Sequence, residues 1–385
     1  RNRAGKSKAN PMTLAPIYLD HNATAPVLPE ACAAVAAALE IAGNPSSVHG
    51  FGRAARRIVD EARARVAALV GASADAVVFT SGGTEANNLA LASADGRRIL
   101  MSAIEHDSVL RAAPKAERIP VDGDGALNLA ALDAALALRP GVGALVLVML
   151  ANNETGVIQP VAEAVEIAHR HGAILHCDAV QAAGKIAVDM RALGADLLTL
   201  SAHKLGGPAG VGALVVRDGI VLQPMFLGGG QESWRRAGTE NLAGIAGFGA
   251  AAEIAARDLD MAACLADLRD EIERRVLAIA PDAPIYGLKA QRLANTSCIG
   301  MPGVKGETQV MAFDLAGIAV SAGAACSSGK VTPSAVLQAM GMGKDAAGQA
   351  IRVSLGRGNG PNDIGRFATA WNELYQRARQ LKAAA

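Results

Sequence analysis

The sequence contains few aromatic residues, few cysteines and no long apolar run. Aromatic residues make up only 3% of the 385 residues although 51% are hydrophobic, so Ala, Val, Leu and Ile must build the core. No apolar run approaches the roughly 18 residues of a membrane-spanning helix. The formal net charge of +1, without blocks of like charge, gives no indication of nucleic-acid or membrane binding. The five cysteines lack CxxC pairing, which argues against a disulfide framework or a thiolate zinc site and favours a reducing, cytoplasmic location.

Short apolar runs alternate with amphipathic stretches through the middle of the chain. Examples of these runs are AVVFT (76–80), GALVLVMLA (143–151) and AILHCDAV (173–180). Continuous apolar strands that alternate with helices are typical of an α/β fold, with a mainly parallel sheet covered by helices on both faces. After a long helical stretch (242–280), the pattern changes to that of a smaller α+β unit closed by a C-terminal helix (362–382).

Two domains are expected. The large domain is expected over residues 28–262, and the small domain over residues 12–27 together with 263–385. Residues 1–11 are basic but have no apolar segment behind them, so they do not form a secretory signal. Since the chain begins with Arg and Met12 is a plausible native start, we expect residues 1–11 to be an artificial extension.

Polar residues follow five of the predicted strands. In an open α/β sheet, ligands bind outside the carboxyl ends of the strands, so these residues are expected to converge. The glycine turn Ser81–Glu85 leads into a helix, and its free N–H groups suit a phosphate. The remaining sets are Glu105 and His106; Asn152, Asn153 and Glu154; His176, Cys177, Asp178 and Gln181; and Ser201, Ala202, His203 and Lys204.

Each set also has a structural interpretation. His106 could begin a helix, Asn153 could form a turn, Asp178 could be a cap, and Lys204 could extend from a strand end into solvent. His176 and Asp178 share one strand face, but no third metal ligand stands at a suitable spacing, so no metal site is predicted. A lysine, a buried aspartate, a phosphate cradle and a histidine together fit one ligand, pyridoxal phosphate.

Specific motifs add a resemblance over nearly the whole chain, from about Ile17 to about Arg357. They include YLDHNATAP, GNPSSVHGFGR, VVFTSGGTEANNLA, NNETGVIQP, HCDAVQAAGK, SAHKLGGPAGVGAL, GGGQESWRRAGTEN and SAGAACSSG. In these motifs the chain resembles the cysteine desulfurases of the NifS/IscS type. These are class-V aminotransferase relatives, pyridoxal-phosphate enzymes with the aspartate-aminotransferase fold (fold type I).

The resemblance implies a role for each polar set. Lys204 would be the Schiff-base lysine, His106 would stack on the cofactor ring, and Asp178 would pair with the ring nitrogen. Gln181 and Asn153 would surround the 3′-oxygen. The phosphate contacts would come from Gly83, Thr84, Ser201 and His203, with Thr239 contributed by the other subunit of a homodimer with shared active sites.

One cysteine is expected to carry the reaction. Cys326 lies in the Gly-, Ala- and Ser-rich segment VSAGAACSSGKVTPS (320–334), where a thiolate could attack sulfur and carry it away. The other four cysteines are expected to be small buried hydrophobes. The commoner family loop reads Ser-Ser-Gly-Ser-Ala-Cys-Thr-Ser, and two of its serines are replaced here. The loop length resembles that of the long-loop group, which delivers sulfur to scaffolds.

The substrate side is also implied by the resemblance. Arg352 would clamp the substrate carboxylate, with Arg357 as the alternative. Asn44 and His49 would line the entry, and Asn153 would contact the substrate as well as the cofactor. The expected reaction converts L-cysteine to L-alanine and leaves a persulfide on Cys326 for an acceptor protein, such as one of iron–sulfur cluster assembly. The alternatives are a selenocysteine lyase or cysteine-sulfinate desulfinase, or a catalytically silent sulfur-carrier partner.

Overall fold

The computed structural model describes residues 15–325 and 331–384. Cys326 therefore lies outside the described residues. The helices of the described part are α1 Pro29–Leu39, α2 Gly50–Leu69, α3 Gly83–Ala92, α4 Asp107–Leu110, α5 Leu129–Ala137, α6 Val161–Arg170, α7 Met190–Leu193, α8 Leu242–Arg257, α9 Met261–Ile279, α10 Gly306–Leu315, α11 Ala335–Ala339, α12 Lys344–Ala347 and α13 Pro361–Ala384.

The strands form one large sheet and several small ones. They are β1 Ile17–Tyr18, β2 Val77–Thr80, β3 Arg98–Ser102, β4 Glu117–Ile119, β5 Ala144–Met149, β6 Ile174–Asp178, β7 Leu197–Ser201, β8 Gly212–Val216, β9 Ile285–Tyr286, β10 Thr296–Gly300, β11 Ile318–Ala319, β12 Ala324–Ala325, β13 Val331–Thr332 and β14 Ala350–Ser354. The seven-stranded sheet has the order β2-β8-β7-β6-β5-β3-β4. Within it only β8 runs against its neighbours, so the other strands end at the same edge.

Alternate residues of the large sheet enter two different cores. In β5, Leu145 and Leu147 pack with α3 and α4, whereas Val146 and Val148 pack on the opposite face with α2, α5, α6 and α8. Because side chains alternate across a strand, a strand covered on both faces must be apolar throughout. The predicted α/β fold with a mainly parallel sheet is confirmed.

A separate core lies around the smaller sheet β14-β10-β9. It joins Ile17 and Leu19, near the N-terminus, to residues between 272 and 375, including Phe313, Phe367 and Trp371. The strand pair β1-β11 brings the same distant segments together. This arrangement is compatible with the two-domain division, which stays a prediction.

The long helical stretch predicted over 242–280 consists of two helices. Helix α8 ends at Arg257, and α9 begins at Met261. Helix α8 is buried in the core beside the large sheet, whereas Ile272 and Val276 of α9 belong to the core around the smaller sheet. The two helices therefore contribute to different cores, which a pattern of Ala and charge repeats does not reveal.

Candidate functional site

A cavity of about 420 Å³ opens at the carboxyl edge of the large sheet. Its walls come from the ends of β3, β5, β6 and β7, from the start of α3, and from β14 of the smaller sheet. The predicted site residues that line it are Gly83, Thr84, His106, Asn153, Asp178, Gln181, Ser201, His203, Lys204 and Arg352. The convergence follows from the parallel strands, which deliver whatever follows them to one edge.

Lys204 follows β7 and lies in the cavity wall. Its Nζ donates hydrogen bonds to the main-chain oxygens of Asn22, at 2.5 Å, and Ala23, at 2.8 Å. Burial and then the nearby charge of Arg352 lower the pKa of Lys204 to about 8, although Asp20 and Asp178 act in the opposite direction. An appreciable fraction of neutral amine is therefore present near neutral pH, which favours nucleophilic chemistry over a solvent-facing role.

Asp178 ends β6 and is only 5% exposed. Its Oδ2 accepts a 2.8 Å hydrogen bond from Asn87 Nδ2, and its Oδ1 accepts one from Val180 N at 3.0 Å. Asn87 was not predicted as a site residue. It stands four positions after Gly83 on α3, so helical periodicity places both on one face, and this spacing was the available signal.

His106 is joined to Asp178 through two further side chains. It is the N-cap of α4, so the expectation that it could begin a helix is confirmed, and it also lines the cavity. Its Nδ1 accepts a 3.1 Å hydrogen bond from Ser108 N, which leaves Nε2 to carry the proton of the neutral ring. Asn87 Nδ2 donates to Ser108 Oγ at 2.9 Å as well as to Asp178. The network fixes the tautomer and orientation of His106.

The start of α3 forms a concave, positively polarised corner of the cavity. Gly82 has a φ of +154°, and a Cβ at Gly83 would lie only 3.1 Å from Val180 Cγ2. Gly83 therefore packs closely against Val180, and the N–H groups of the first helical turn, which have no helical partners, suit a phosphate. His203 borders this cavity, and burial followed by the charge of Lys204 lowers the pKa of His203 to about 4, so its ring is neutral.

Arg352 projects from β14 into the same cavity and is 8% exposed. Its Nη2 donates to Asp20 Oδ1 at 2.7 Å, and its Nη1 donates to Asn153 O at 3.1 Å. The buried Nε has no hydrogen-bond partner among the described residues. Asp20 was missed in the sequence, although it belongs to the YLDHNATAP motif. The carboxylate of Asp20 holds the guanidinium of Arg352 in place without using all of the guanidinium donors.

Glu105 is a second buried carboxyl of the cavity that sequence reasoning did not assign. It is 3% exposed, and Oε1 accepts a 2.7 Å hydrogen bond from Met149 N. Among the described residues Oε2 has no partner. Burial, followed by repulsion from Asp178, raises the pKa of Glu105 to about 8, so the carboxyl is protonated at neutral pH.

Four residues predicted for the site do not line this cavity. Asn44 and Thr239 are exposed, and His49 caps α2 by accepting a hydrogen bond from Gly52 N. Arg357 pairs with Asp258 and lines a neighbouring cavity of about 400 Å³ instead. Lys204 borders both cavities.

The metal interpretation of His176 and Asp178 finds no support in the described part of the chain. His176 is fully buried, and its Nε2 lies 2.8 Å from Thr199 Oγ1. Burial lowers the pKa of His176 to about 4. Within residues 15–325 and 331–384, no group of three or more His, Cys, Asp or Glu side chains could hold a metal ion.

The cysteines outside the 326–330 segment divide into two pairs. Cys177 and Cys298 are buried, and burial raises the pKa of each thiol, so both are unreactive. The prediction that Cys32 and Cys264 are buried is wrong, because both lie on exposed positions of α1 and α9. Apolar residues stand next to both cysteines, Ala31 and Ala33 beside Cys32 and Ala263 and Leu265 beside Cys264, so the sequence pattern did not mark these positions as exposed.

Described residues on both sides of positions 326–330 line the cavity. On one side Gly323 lines the cavity, and on the other Ala335 does so. The strands β12 and β13, immediately before and after residues 326–330, pair in antiparallel register. Ser334 Oγ then donates a 2.6 Å hydrogen bond to the buried Glu154 Oε2, which fixes the C-terminal side of the segment to the cavity wall.

Comparison with known proteins gives one consistent result. Residues 17–367 match the family model of the class-V aminotransferases. A cysteine desulfurase of Cereibacter sphaeroides is 46% identical over 95% of this chain and 97% of its own length. The cysteine desulfurase IscS of Dictyoglomus turgidum is 39% identical over 95% of this chain and 96% of its own length.

Solved structures agree with this result. A NifS-like protein from Rickettsia africae superimposes with a TM-score of 0.88 at 36% identity, covering 94% of this chain and 99% of that one. A cysteine desulfurase from Thermococcus onnurineus gives a TM-score of 0.81 at 26% identity, covering 94% and 95% of the two chains. The chain therefore belongs to the class-V aminotransferase family, among its cysteine desulfurases.

Proposed function

We propose that the chain converts L-cysteine to L-alanine with pyridoxal phosphate as cofactor and transfers the sulfur to Cys326 as a persulfide. The observation that carries the proposal is the convergence of Lys204, Asp178 and the N-terminus of α3 on one cavity that Arg352 also enters. Each group alone has a structural interpretation, but together they provide an amine, an anion for a ring nitrogen, a phosphate corner and a carboxylate clamp.

The cavity fits pyridoxal phosphate in its size and in its polar groups. Lys204 would bind the cofactor aldehyde, and Asp178, held by Asn87, would face the ring nitrogen. The phosphate corner would comprise Gly83, Thr84, Ser201 and His203, and the remaining cofactor contacts would come from His106, Asn153 and Gln181. The start of α3 at Gly83, with N–H groups that have no helical partners, supports binding of a phosphate there. When bound, the cofactor supplies an electron sink for the charge that develops on the substrate Cα.

Substrate binding is assigned to Arg352. Its guanidinium is oriented by Asp20 and by the main chain of Asn153, and its remaining donors can pair with the α-carboxylate of L-cysteine. Orientation before binding reduces the entropy lost on association. Arg357 is the weaker candidate, because it lines the neighbouring cavity and pairs with Asp258.

Proton transfer is assigned to Lys204 and His106. With its pKa lowered to about 8, the Lys204 amine can accept the α-proton of the substrate and return a proton afterwards. His106 presents a ring whose Nδ1 accepts from Ser108 N, so Nε2 is the atom that exchanges protons with thiol groups. Lys204 would therefore exchange protons with the substrate carbon, and His106 would exchange protons with the thiol groups.

Sulfur transfer is assigned to Cys326. Its thiolate attacks the substrate sulfur, so the substrate C–S bond breaks, an S–S bond forms, and the carbon skeleton takes up a proton to become alanine. The balance is L-cysteine plus thiol giving L-alanine plus persulfide, with no external oxidant or reductant. The positions of Gly323 and Ala335 in the cavity wall support access of the 326–330 segment to the substrate.

We further propose a homodimer in which Thr239 completes the phosphate site of the other copy. Thr239 is exposed and does not line the cavity of its own chain. The preceding segment exposes several large apolar side chains, including Phe226, Leu227 and Trp234. Apolar surface of this kind favours burial against a second subunit.

The sulfur acceptor is proposed to be a protein of iron–sulfur cluster assembly or of another sulfur-containing cofactor, and the proposed location is the cytoplasm. Among the described residues, no helix has the length and apolar character needed to cross a membrane.

The proposed reaction is tested by supplying the purified protein and pyridoxal phosphate with L-cysteine. We expect equimolar alanine and protein-bound sulfane sulfur in a single turnover. Formation of pyruvate and free sulfide instead of alanine would refute the assigned reaction.

A further inference from the structure

Lys185 is a second lysine beside Lys204 that the proposed mechanism does not use. It follows β6 in the HCDAVQAAGK motif. Its Nζ donates a 2.7 Å hydrogen bond to Asn22 Oδ1 and a 2.8 Å hydrogen bond to Gln181 Oε1. Burial and the charges of Lys204 and Arg352 lower the pKa of Lys185 well below its ordinary value. Burying a lysine amine is energetically unfavourable, so we expect Lys185 to have a role other than solubility.

The two acceptors of Lys185 lead directly to Lys204. The main-chain oxygen of Asn22 accepts from Gln181 Nε2 at 2.9 Å and from Lys204 Nζ at 2.5 Å. The side chain of Asn22 donates through Nδ2 to Thr296 Oγ1 and to the main-chain oxygen of Asn153. Lys185, Gln181, Asn22 and Lys204 thus form one continuous hydrogen-bonded network along the cavity wall.

The chemistry of a lysine explains why this network has one arrangement. An amide side chain can present either its oxygen or its nitrogen, whereas a lysine amine in this position supplies donors. Lys185 therefore forces Gln181 to turn Oε1 towards it, which leaves Nε2 for the Asn22 carbonyl. Lys185 also donates to Oδ1 of Asn22, which Asn295 Nδ2 orients in the same way from 3.2 Å. A residue without donors at position 185 would leave Gln181 Oε1 without a donor among the described residues, so the amide of Gln181 would lose the contact that selects its orientation.

We propose that Lys185 is a positioning residue that sets the amide orientation of Gln181 and thereby keeps Lys204 Nζ on the main-chain oxygen of Asn22. The inference rests on the proposed function, since it takes Lys204 to be the reactive amine. A turned Gln181 would direct Oε1 against the Asn22 carbonyl, and the two oxygens would repel each other. Asn22 would then move, and its contact with Lys204 would be lost.

The experiment compares Lys185→Met, Lys185→Gln and Lys185→Arg with the wild type and with Lys344→Met, which removes an exposed lysine. Methionine removes the donors, glutamine keeps an amide nitrogen with two N–H donors but on a shorter side chain, and arginine retains donors at the full reach of lysine. We expect kcat with L-cysteine to fall by about 10²-fold in Lys185→Met, with KM changed far less because Arg352 is not touched. The kcat of Lys185→Gln should lie between those of Lys185→Met and the wild type, and Lys185→Arg should keep most of the wild-type activity.

A second measurement needs no cofactor. In the apoenzyme, the rate at which acetic anhydride labels Lys204 is measured by mass spectrometry relative to the labelling of Lys115. We expect several-fold faster labelling of Lys204 in Lys185→Met than in wild type and in Lys344→Met, because the Asn22 contact is lost. Should Lys185→Met not fold, Lys185→Gln provides the same comparison.

The proposal is overturned if the folded Lys185→Met and Lys185→Gln variants keep wild-type kcat and wild-type labelling of Lys204. It is also overturned if they lose only thermal stability, since a purely structural lysine would give that result. The proposed function fails separately, and visibly, if borohydride attaches the cofactor of the wild-type enzyme to a residue other than Lys204. The apoenzyme labelling distinguishes the two failures because it involves no cofactor.

Discussion

Asp178 and Asn87 are joined by a 2.8 Å hydrogen bond between two buried side chains from β6 and α3. The bond keeps one oxygen of Asp178 fixed while Ser108 binds the same amide nitrogen of Asn87. The amide of Asn87 consequently positions Asp178, which is assigned to the cofactor ring. Through Ser108 it also positions His106, which is assigned to proton transfer. This arrangement suggests a first test.

Asp178→Asn should preserve the shape of the site while removing the negative charge. We expect the turnover of L-cysteine to fall by about 10²-fold or more, because a neutral amide no longer favours a protonated ring nitrogen. The visible absorption band of the holoenzyme should shift as well. The matched control is Asp60→Asn, an exposed aspartate of α2. Wild-type turnover and an unshifted spectrum in Asp178→Asn would contradict the role given to this residue.

Lys204→Ala should abolish covalent attachment of the cofactor. Borohydride treatment of the wild-type holoenzyme is expected to fix pyridoxal phosphate to Lys204, as read from a peptide map. In the variant, no stable label should form, and turnover should fall by about 10²- to 10⁴-fold for loss of the proton acceptor. Lys344→Ala, which alters an exposed lysine, should behave like wild type. A label on a different lysine of the wild-type protein would refute the assignment.

Cys326→Ala should separate cofactor binding from sulfur transfer. The colour and fold should be retained because no group of the cavity wall changes, whereas alanine formation from L-cysteine should collapse because no other thiol replaces the nucleophile. Cys264→Ala, at an exposed cysteine of α9, serves as the control and should keep full activity. Mass spectrometry of the wild type after one turnover should place the extra sulfur on Cys326. Persistence of wild-type activity, or sulfur on Cys264, would exclude the mechanism.

Arg352→Lys should weaken substrate binding more than it slows the reaction. Lysine keeps the charge but loses the planar pair of donors that matches a carboxylate, so KM for L-cysteine should rise about tenfold or more. Arg357→Lys tests the alternative clamp, and we expect its KM to remain near that of wild type. The reverse outcome, with KM raised only by Arg357→Lys, would move the clamp to the neighbouring cavity.

Glu105→Gln should change how stability depends on pH. The pKa of Glu105 is raised from 4.5 to about 8 by burial, so between these values the native state binds more protons than the unfolded state. The contribution of Glu105 to stability is therefore complete below pH 4.5 and decreases as pH rises towards 8.

The side chain of the Glu105→Gln variant does not ionise, so the variant does not lose this stability as pH rises. Its amide oxygen can still accept the hydrogen bond from Met149 N. Its free energy of unfolding relative to wild type should grow by about 1 kcal/mol or more between pH 5.5 and 8.5. Urea denaturation at the two pH values measures the difference. Parallel pH profiles for the two proteins would show that the carboxyl of Glu105 is not protonated in the native state.

The fold class and most of the cavity could be predicted from the sequence because both depend on local order along the chain. Continuous apolar strands indicated a sheet covered on both faces, and parallel strands necessarily deliver the residues that follow them to one edge. This is why Lys204, Asp178, His106 and the glycine turn at Gly83 could be placed together before any distance was known. Cys326 was proposed as the reactive cysteine from the resemblance and from the composition of its loop.

Residues that act through contacts distant in the sequence could not be found in this way. Asn22 meets Lys204 and Lys185 across more than 160 positions, and Asp20 meets Arg352 across 332. Neither the break between α8 and α9 nor the exposure of Cys32 and Cys264 follows from periodicity, because each depends on which core a helix packs against. The sequence by itself determined which chemical groups reach the carboxyl edge of the sheet. Only the tertiary structure decided their protonation and orientation, since burial and hydrogen-bond partners are set by segments that meet when the chain folds.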